Sequence, residues 1–235
     1  MVRKLREGLR TVDGRCALAL LYCGVLLTVL EYVYLPWRIQ LRLDGTRRAI
    51  SLEAGLTWAI ATTVGYLVLP TLFVLLAHRE GLSSIGYRLK GFVRHAWIYL
   101  VLYAVMVPFL LLAGDRADFQ RTYPFVLNAR HDWTTFLAWE AAYLLQFFAL
   151  EAFFRGYLLF TLERRFGWTA ILVMVVPYCM IHFHKPVLEA LGALVAGIVL
   201  GALALRLRSF FGGVLLHGLV ALTMDLIGAR AGGLF

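Results

Sequence analysis

The chain has 235 residues, 61% hydrophobic and 16% charged, with a mean hydropathy of +0.77 and a formal net charge of +9. Water-soluble domains run near half apolar and about a quarter charged, and the apolar excess here falls into blocks of roughly twenty residues, the length a helix needs to cross the hydrocarbon layer. A soluble domain is excluded, and so is a nucleic-acid surface, because the basic residues sit in the short segments between apolar blocks, where membrane topology places them.

The opening "MVRKLREGLR" leads into an apolar block from Cys16 to Pro36. That block is too long for a secretory signal, contains Glu31 and lacks a small-residue cleavage site, so it reads as an uncleaved first span. Seven spans are predicted, eight at most: about 16–36, 55–77, 95–113, 134–160, 168–184, 187–207 and 209–228. The expected fold class is an all-α polytopic membrane helix bundle. Pro70 and Pro108 fall in the second and third spans, which membrane helices tolerate when neighbours satisfy the freed backbone groups. With the N-terminus inside, thirteen Lys and Arg lie on the cytoplasmic side and nine on the other, with Arg155 left inside a span. The segment "RIQLRLDGTRR" weighs against that orientation and reads as an amphipathic interfacial stretch. The polar loop from Gly114 to Trp133 separates three N-terminal spans (1–133) from a four-span core (134–228) within one domain, 1–235. Ala193, Gly197 and Gly201, spaced by four, predict a face for close helix packing. Cys16, Cys23 and Cys179 form no CxxC pair and read as buried small hydrophobes.

Ionisable groups inside a membrane are costly and face the bundle interior. The late spans supply Glu140, Glu151, Arg155, His182, His184, His217 and Asp225; the first three supply only Glu31. Glu151 and Arg155 are four apart and share a helix face, which fits an internal ion pair. Glu140, three turns earlier, is expected near the outer end of its span. A turn at "RRFGW" puts Glu151, 16 residues before Gly167, level with His182, 15 residues after it. His217 falls within one or two turns of that depth. Two chemistries fit one Glu and two His: a carboxylate base activating water with imidazole assistance, or a zinc site that activates bound water. The absence of HExxH leaves the metal without local support, so no cofactor is expected.

The stretches "EAFFRGYLL", "YCMIHFHKP" and "VLLHGLVALTMD", in this order, resemble the CAAX-protease and bacteriocin-processing (CPBP, abortive-infection) family over roughly residues 134–228. The family's motifs are EExxxR, FxxxH and HxxxN or HxxxD. Glu151 and Arg155 match the second glutamate and the arginine of the first motif. Tyr178 and His182 match the second, with Tyr for Phe, and His217 matches the third. Leu150 stands where the first glutamate, usually credited with activating water, is expected. Ala221 stands in place of Asn or Asp, with Asp225 one turn later. The resemblance implies an intramembrane endopeptidase, glutamic and formerly classed as a metalloprotease. Glu151 would be the base, Arg155 its positioner, and His182 and His217 would bind water or the oxyanion. Tyr178, His184 and Asp225 complete the expected binding residues. The implied partners are a lipid bilayer and a membrane-protein or lipidated, anchored peptide substrate, with no nucleic acid. The implied location is a bacterial inner (cytoplasmic) membrane. Two other readings stay open: a catalytically lapsed relative that binds hydrophobic peptides, and a small transporter with the Glu–Arg pair in its pathway.

Overall fold

The computed structural model describes residues 12–34, 50–183 and 185–235. The N-terminal tail, the expected interfacial stretch "RIQLRLDGTRR" and His184 lie outside the described residues. Helix α1 (Gly14–Val29) starts at Asp13, whose carboxylate accepts from the backbone N–H of Arg15 and Cys16. It runs on through a π-helical turn, Leu30–Tyr34. Helix α2 (Leu52–Thr63) is capped by Ser51 and passes through a second π-helical turn, Val64–Val68, into α3 (Leu69–Leu76). That wide turn sits just ahead of Pro70, which has no N–H to give to the helix ladder. Helix α4 (Leu89–Gly114) contains Pro108 and is followed by the short α5 (Ala117–Thr122).

The C-terminal half is built from α6 (Trp133–Glu151), capped by Asp132 through the backbone N–H of Thr135 at 2.7 Å. A third π-helical segment, Ala152–Leu158, leads into α7 (Leu159–Phe166). The chain reverses at Gly167, whose φ of 53° suits a residue without a Cβ. Helices α8 (Ala170–Met180), α9 (Val187–Leu207) and α10 (Phe211–Gly232) complete the bundle.

Among the described residues six helices are long and apolar enough to cross a membrane, fewer than the seven spans expected. The fourth and fifth expected spans are one helical run, Trp133–Met180, folded back on itself. Tyr178 packs on Phe154 with ring centroids 5.4 Å apart, the pairing a reversal at Gly167 requires. Helix α8 has 11 residues, about 16 Å of rise. That is roughly half the hydrocarbon thickness, so α8 ends within the bundle and delivers His182, 4% exposed, to its interior. Outward faces carry exposed Trp97, Phe109 and Leu112, the inverse of a soluble surface and suited to lipid. The small-residue stripe of α9 packs as expected: a Cβ on Gly197 would lie 2.9 Å from Val175 and 3.1 Å from Tyr178. The chain is an integral membrane protein with a helical-bundle fold.

Ion pairs tie one end of the bundle. Glu80, after α3, accepts from Arg15 of α1 and from Arg164 of α7, and the Arg164 guanidinium holds its pKa down to about 2. Arg208, between α9 and α10, pairs with Glu163 at 2.6 Å. At the opposite end, Ile50 and Val126 form an isolated bridge, the Tyr123 hydroxyl donates to Glu189 Oε2, and Lys185 pairs with Glu189 at 2.8 Å.

Candidate active site

Glu151 is the last residue of α6 and Arg155 lies in the π-helical segment that follows; both are 0% exposed. A lone buried ion costs several kcal/mol, about, so two such groups must find each other. They do: Arg155 Nη1 lies 3.0 Å from Glu151 Oε1. The guanidinium carbon sits 3.8 Å above the ring of Tyr178, where the negative ring face offsets part of the remaining desolvation. Glu151 Oε1 also lies 3.0 Å from His217 Nδ1 of α10. The other oxygen, Oε2, rests against Gly213, where any Cβ would overlap it. Helix α10 thus gives the carboxylate a hollow and a hydrogen bond one turn apart. Sequence reading missed Gly213, although the Gly212–Gly213 pair, four residues ahead of His217, was a signal for it.

His182 Nδ1 lies 2.9 Å from the Tyr178 carbonyl. A carbonyl only accepts, so Nδ1 carries the proton and Nε2 the lone pair. At His217 the Nδ1 faces Glu151 Oε1 at 3.0 Å, and as the donor there it leaves Nε2 with the lone pair. Both imidazoles flank the Tyr178 ring, His182 at 4.9 Å and His217 at 6.4 Å between centroids. Glu151, Arg155, Tyr178, His182 and His217 therefore lie together in one cluster. In these tautomers each Nε2 can accept a proton from water; stabilising an oxyanion requires the protonated ring.

A cavity of about 140 Å³ lies beside this cluster, lined among others by Tyr66, Gln146, Phe147, Leu150, His182 and Lys185. Leu150 faces it, whereas Glu151 does not. The partly exposed member of the carboxylate–imidazole pair is His217, at 15% of its side chain, in contact with cavity-lining Phe147 at 4.3 Å between rings. The carboxylate is enclosed, and the imidazole is the partly exposed member of the pair. Gln146, 3% exposed with Oε1 lacking a hydrogen-bond partner among the described residues, is a second polar group missed by a reading confined to ionisable residues.

Asp225 departs from its expected place. It is 0% exposed, accepts from Trp139 Nε1 at 2.7 Å and lies beside Glu140. Eight residues beyond His217 on α10, it is about 12 Å further along the helix. Glu140 departs too: it is 5% exposed rather than interfacial, because α6 turns that face towards α10. His184 lies outside the described residues. Among the described residues no group of three or more His, Cys, Asp or Glu is arranged to hold a metal ion.

The fold and the cluster define a polytopic helical membrane protein with a carboxylate–imidazole site enclosed by its C-terminal helices. Residues 132–223, which hold that cluster, match the family model described as type II CAAX prenyl endopeptidase Rce1-like, consistent with the CPBP/CAAX protease family. No curated protein and no solved structure matches the chain.

Proposed function

We propose that the protein is an intramembrane endopeptidase that hydrolyses a peptide bond of a membrane-anchored protein, with the Glu151–His217 pair activating water. The observation that carries this reading is Glu151 Oε1, held at 3.0 Å by both Arg155 and His217 inside an Rce1-like domain. In this mechanism His217 Nε2 takes a proton from water as the oxygen attacks the scissile carbonyl carbon. Glu151 fixes the ring's tautomer and offsets the imidazolium charge that forms, the role of the buried carboxylate in acyl-transfer triads. His217 then returns the proton to the leaving amine nitrogen as the C–N bond breaks. His182 Nε2 positions the water or substrate from the cavity side. Tyr178 holds Arg155 and both rings in register. No metal enters these steps.

A second reading, a catalytically lapsed relative that binds hydrophobic peptides, is favoured by one observation: the cavity wall carries Leu150 where the family motif has its first glutamate. Co-expression with C-terminally anchored membrane proteins, followed by mass spectrometry of new termini, separates the two. The endopeptidase reading expects a discrete product that survives chelator treatment. Substrate retained intact on the protein supports the binding-only reading, and activity lost to chelator and restored by one equivalent of zinc overturns the metal-free mechanism.

A further inference from the structure

Tyr143, Gln146, Phe147 and Leu150 follow the helical spacing of three and four residues, so α6 turns one stripe to the cavity. Helix α2, packed on α6 with the Trp58 and Tyr143 rings 6.2 Å apart, adds Trp58 and Thr62, and the first π-helical turn adds Glu31. Of the carboxylate–imidazole cluster, His182 lines this cavity, while Glu151, Arg155 and His217 do not. The lining is mostly apolar, and several of its polar side chains are already engaged. Thr62 Oγ1 lies 2.9 Å from the Trp58 carbonyl and 3.0 Å from that of Ala59, so its proton is used within α2. His182 Nδ1 is held by the Tyr178 carbonyl, and Lys185 pairs with Glu189. Gln146 is different: it is buried, and its Oε1 has no hydrogen-bond partner among the described residues.

A carboxamide carries an acceptor and N–H donors, the complement of a peptide unit, which has one acceptor and one donor. Leaving a buried acceptor unmade is costly, so a polar atom of a ligand is what completes this side chain. The cavity, about 140 Å³, is close to the hollow of about 150 Å³ that takes a benzene-sized molecule. It holds one large side chain, not a helix about 10 Å across. A helical membrane anchor must therefore unwind to enter, and its freed backbone groups then have no water to bond. We propose that Gln146 is a substrate-positioning residue, whose carboxamide pairs with one backbone peptide unit of the unwound segment beside the scissile bond. This inference rests on the endopeptidase reading. Gln146 precedes Glu151 by five residues, about 7.5 Å along α6, the length of roughly two residues of extended chain. The paired unit thus falls within about three residues of the bond that breaks.

The test couples Gln146 to the substrate backbone. Anchored reporters carrying the cut sequence mapped in cells are made by cell-free translation into vesicles that hold the purified protein. One amide at a time, near the scissile bond but not the bond itself, is replaced by an ester, which lacks the N–H and is a weaker acceptor. The native chain is expected to lose at least tenfold in kcat/KM at one ester position. Gln146→Met keeps the length of the side chain and removes both polar atoms. It should lose at least tenfold on the all-amide reporter, mostly through KM, and less than a further twofold at that ester. A purely structural Gln146 would leave the ester penalty intact in the variant, and that result overturns the proposal, as does native-like turnover by Gln146→Met. If Gln146→Met does not accumulate, Gln146→Glu takes its place, keeping an acceptor and losing the N–H donors. The ester penalty should again shrink, and an unchanged penalty overturns the proposal. A native chain with no ester-sensitive position overturns it too and leaves the endopeptidase reading standing. Failure of the native chain to cut even the all-amide reporter overturns that reading, and this inference with it.

Discussion

Leu150 and Glu151 are adjacent in sequence and face different surroundings: Leu150 borders the cavity, while Glu151 is enclosed between Arg155, His217 and Gly213. The single residue step between them separates the wall that meets substrate from the charge that supports chemistry. Leu150→Glu should therefore place a carboxylate in the cavity near His182 and Gln146, not beside Arg155. The variant is expected to accumulate in the membrane and to cleave at least as fast as the native chain. Product formed per unit of membrane-embedded protein checks this, and a tenfold or greater loss would contradict the placement.

Arg155→Ala leaves the Glu151 carboxylate buried without its counter-charge. Breaking a buried pair on one side costs about 3–5 kcal/mol, and the Tyr178 ring loses its stacked cation as well. The expected result is lower membrane abundance and a clear drop in thermal midpoint in detergent, together with loss of activity. A midpoint unchanged within error would mean that the pair does not hold the helices together.

Gly213→Ala should act on the carboxylate alone. The added Cβ overlaps Glu151 Oε2 and must displace it from His217. Cleavage is expected to fall by at least tenfold while the protein still accumulates. Gly218→Ala, which meets only the flexible end of Leu144 at 3.2 Å, serves as the control with near-native turnover. Equal behaviour of the two variants would contradict the role given to Gly213.

Much of this site was legible in the sequence because its logic is one of spacing. Equal distances from Gly167 put Glu151 and the Tyr178–His182 stretch at one level, and a four-residue step put Arg155 on the Glu151 face. Membrane cost then required those groups to point inward. What was not legible depends on departures from 3.6 residues per turn. The π-helical segment Ala152–Leu158 begins directly after Glu151, and two more, Leu30–Tyr34 and Val64–Val68, border the same cavity through Leu30 and Tyr66. Each wide turn rotates the following residues relative to a regular helix, and nothing in "AFFRGYL" signals it locally. The sequence therefore showed which polar groups share a depth, but not that Leu150 meets the cavity, that Glu151 is enclosed, or that Asp225 turns to Trp139 and Glu140.

The central claim is that the Glu151 carboxylate supports proton transfer through His217, and Glu151→Gln tests it most directly. The amide keeps the shape of the site and can still accept from His217, but it carries no charge to offset an imidazolium. The measurement is cleavage of a co-expressed anchored substrate, normalised to the amount of protein in the membrane. The Glu151→Gln protein should accumulate and its product should fall at least a hundredfold, about 2.7 kcal/mol of barrier. Full cleavage by that protein would contradict the account and leave Glu151 as the structural partner of Arg155.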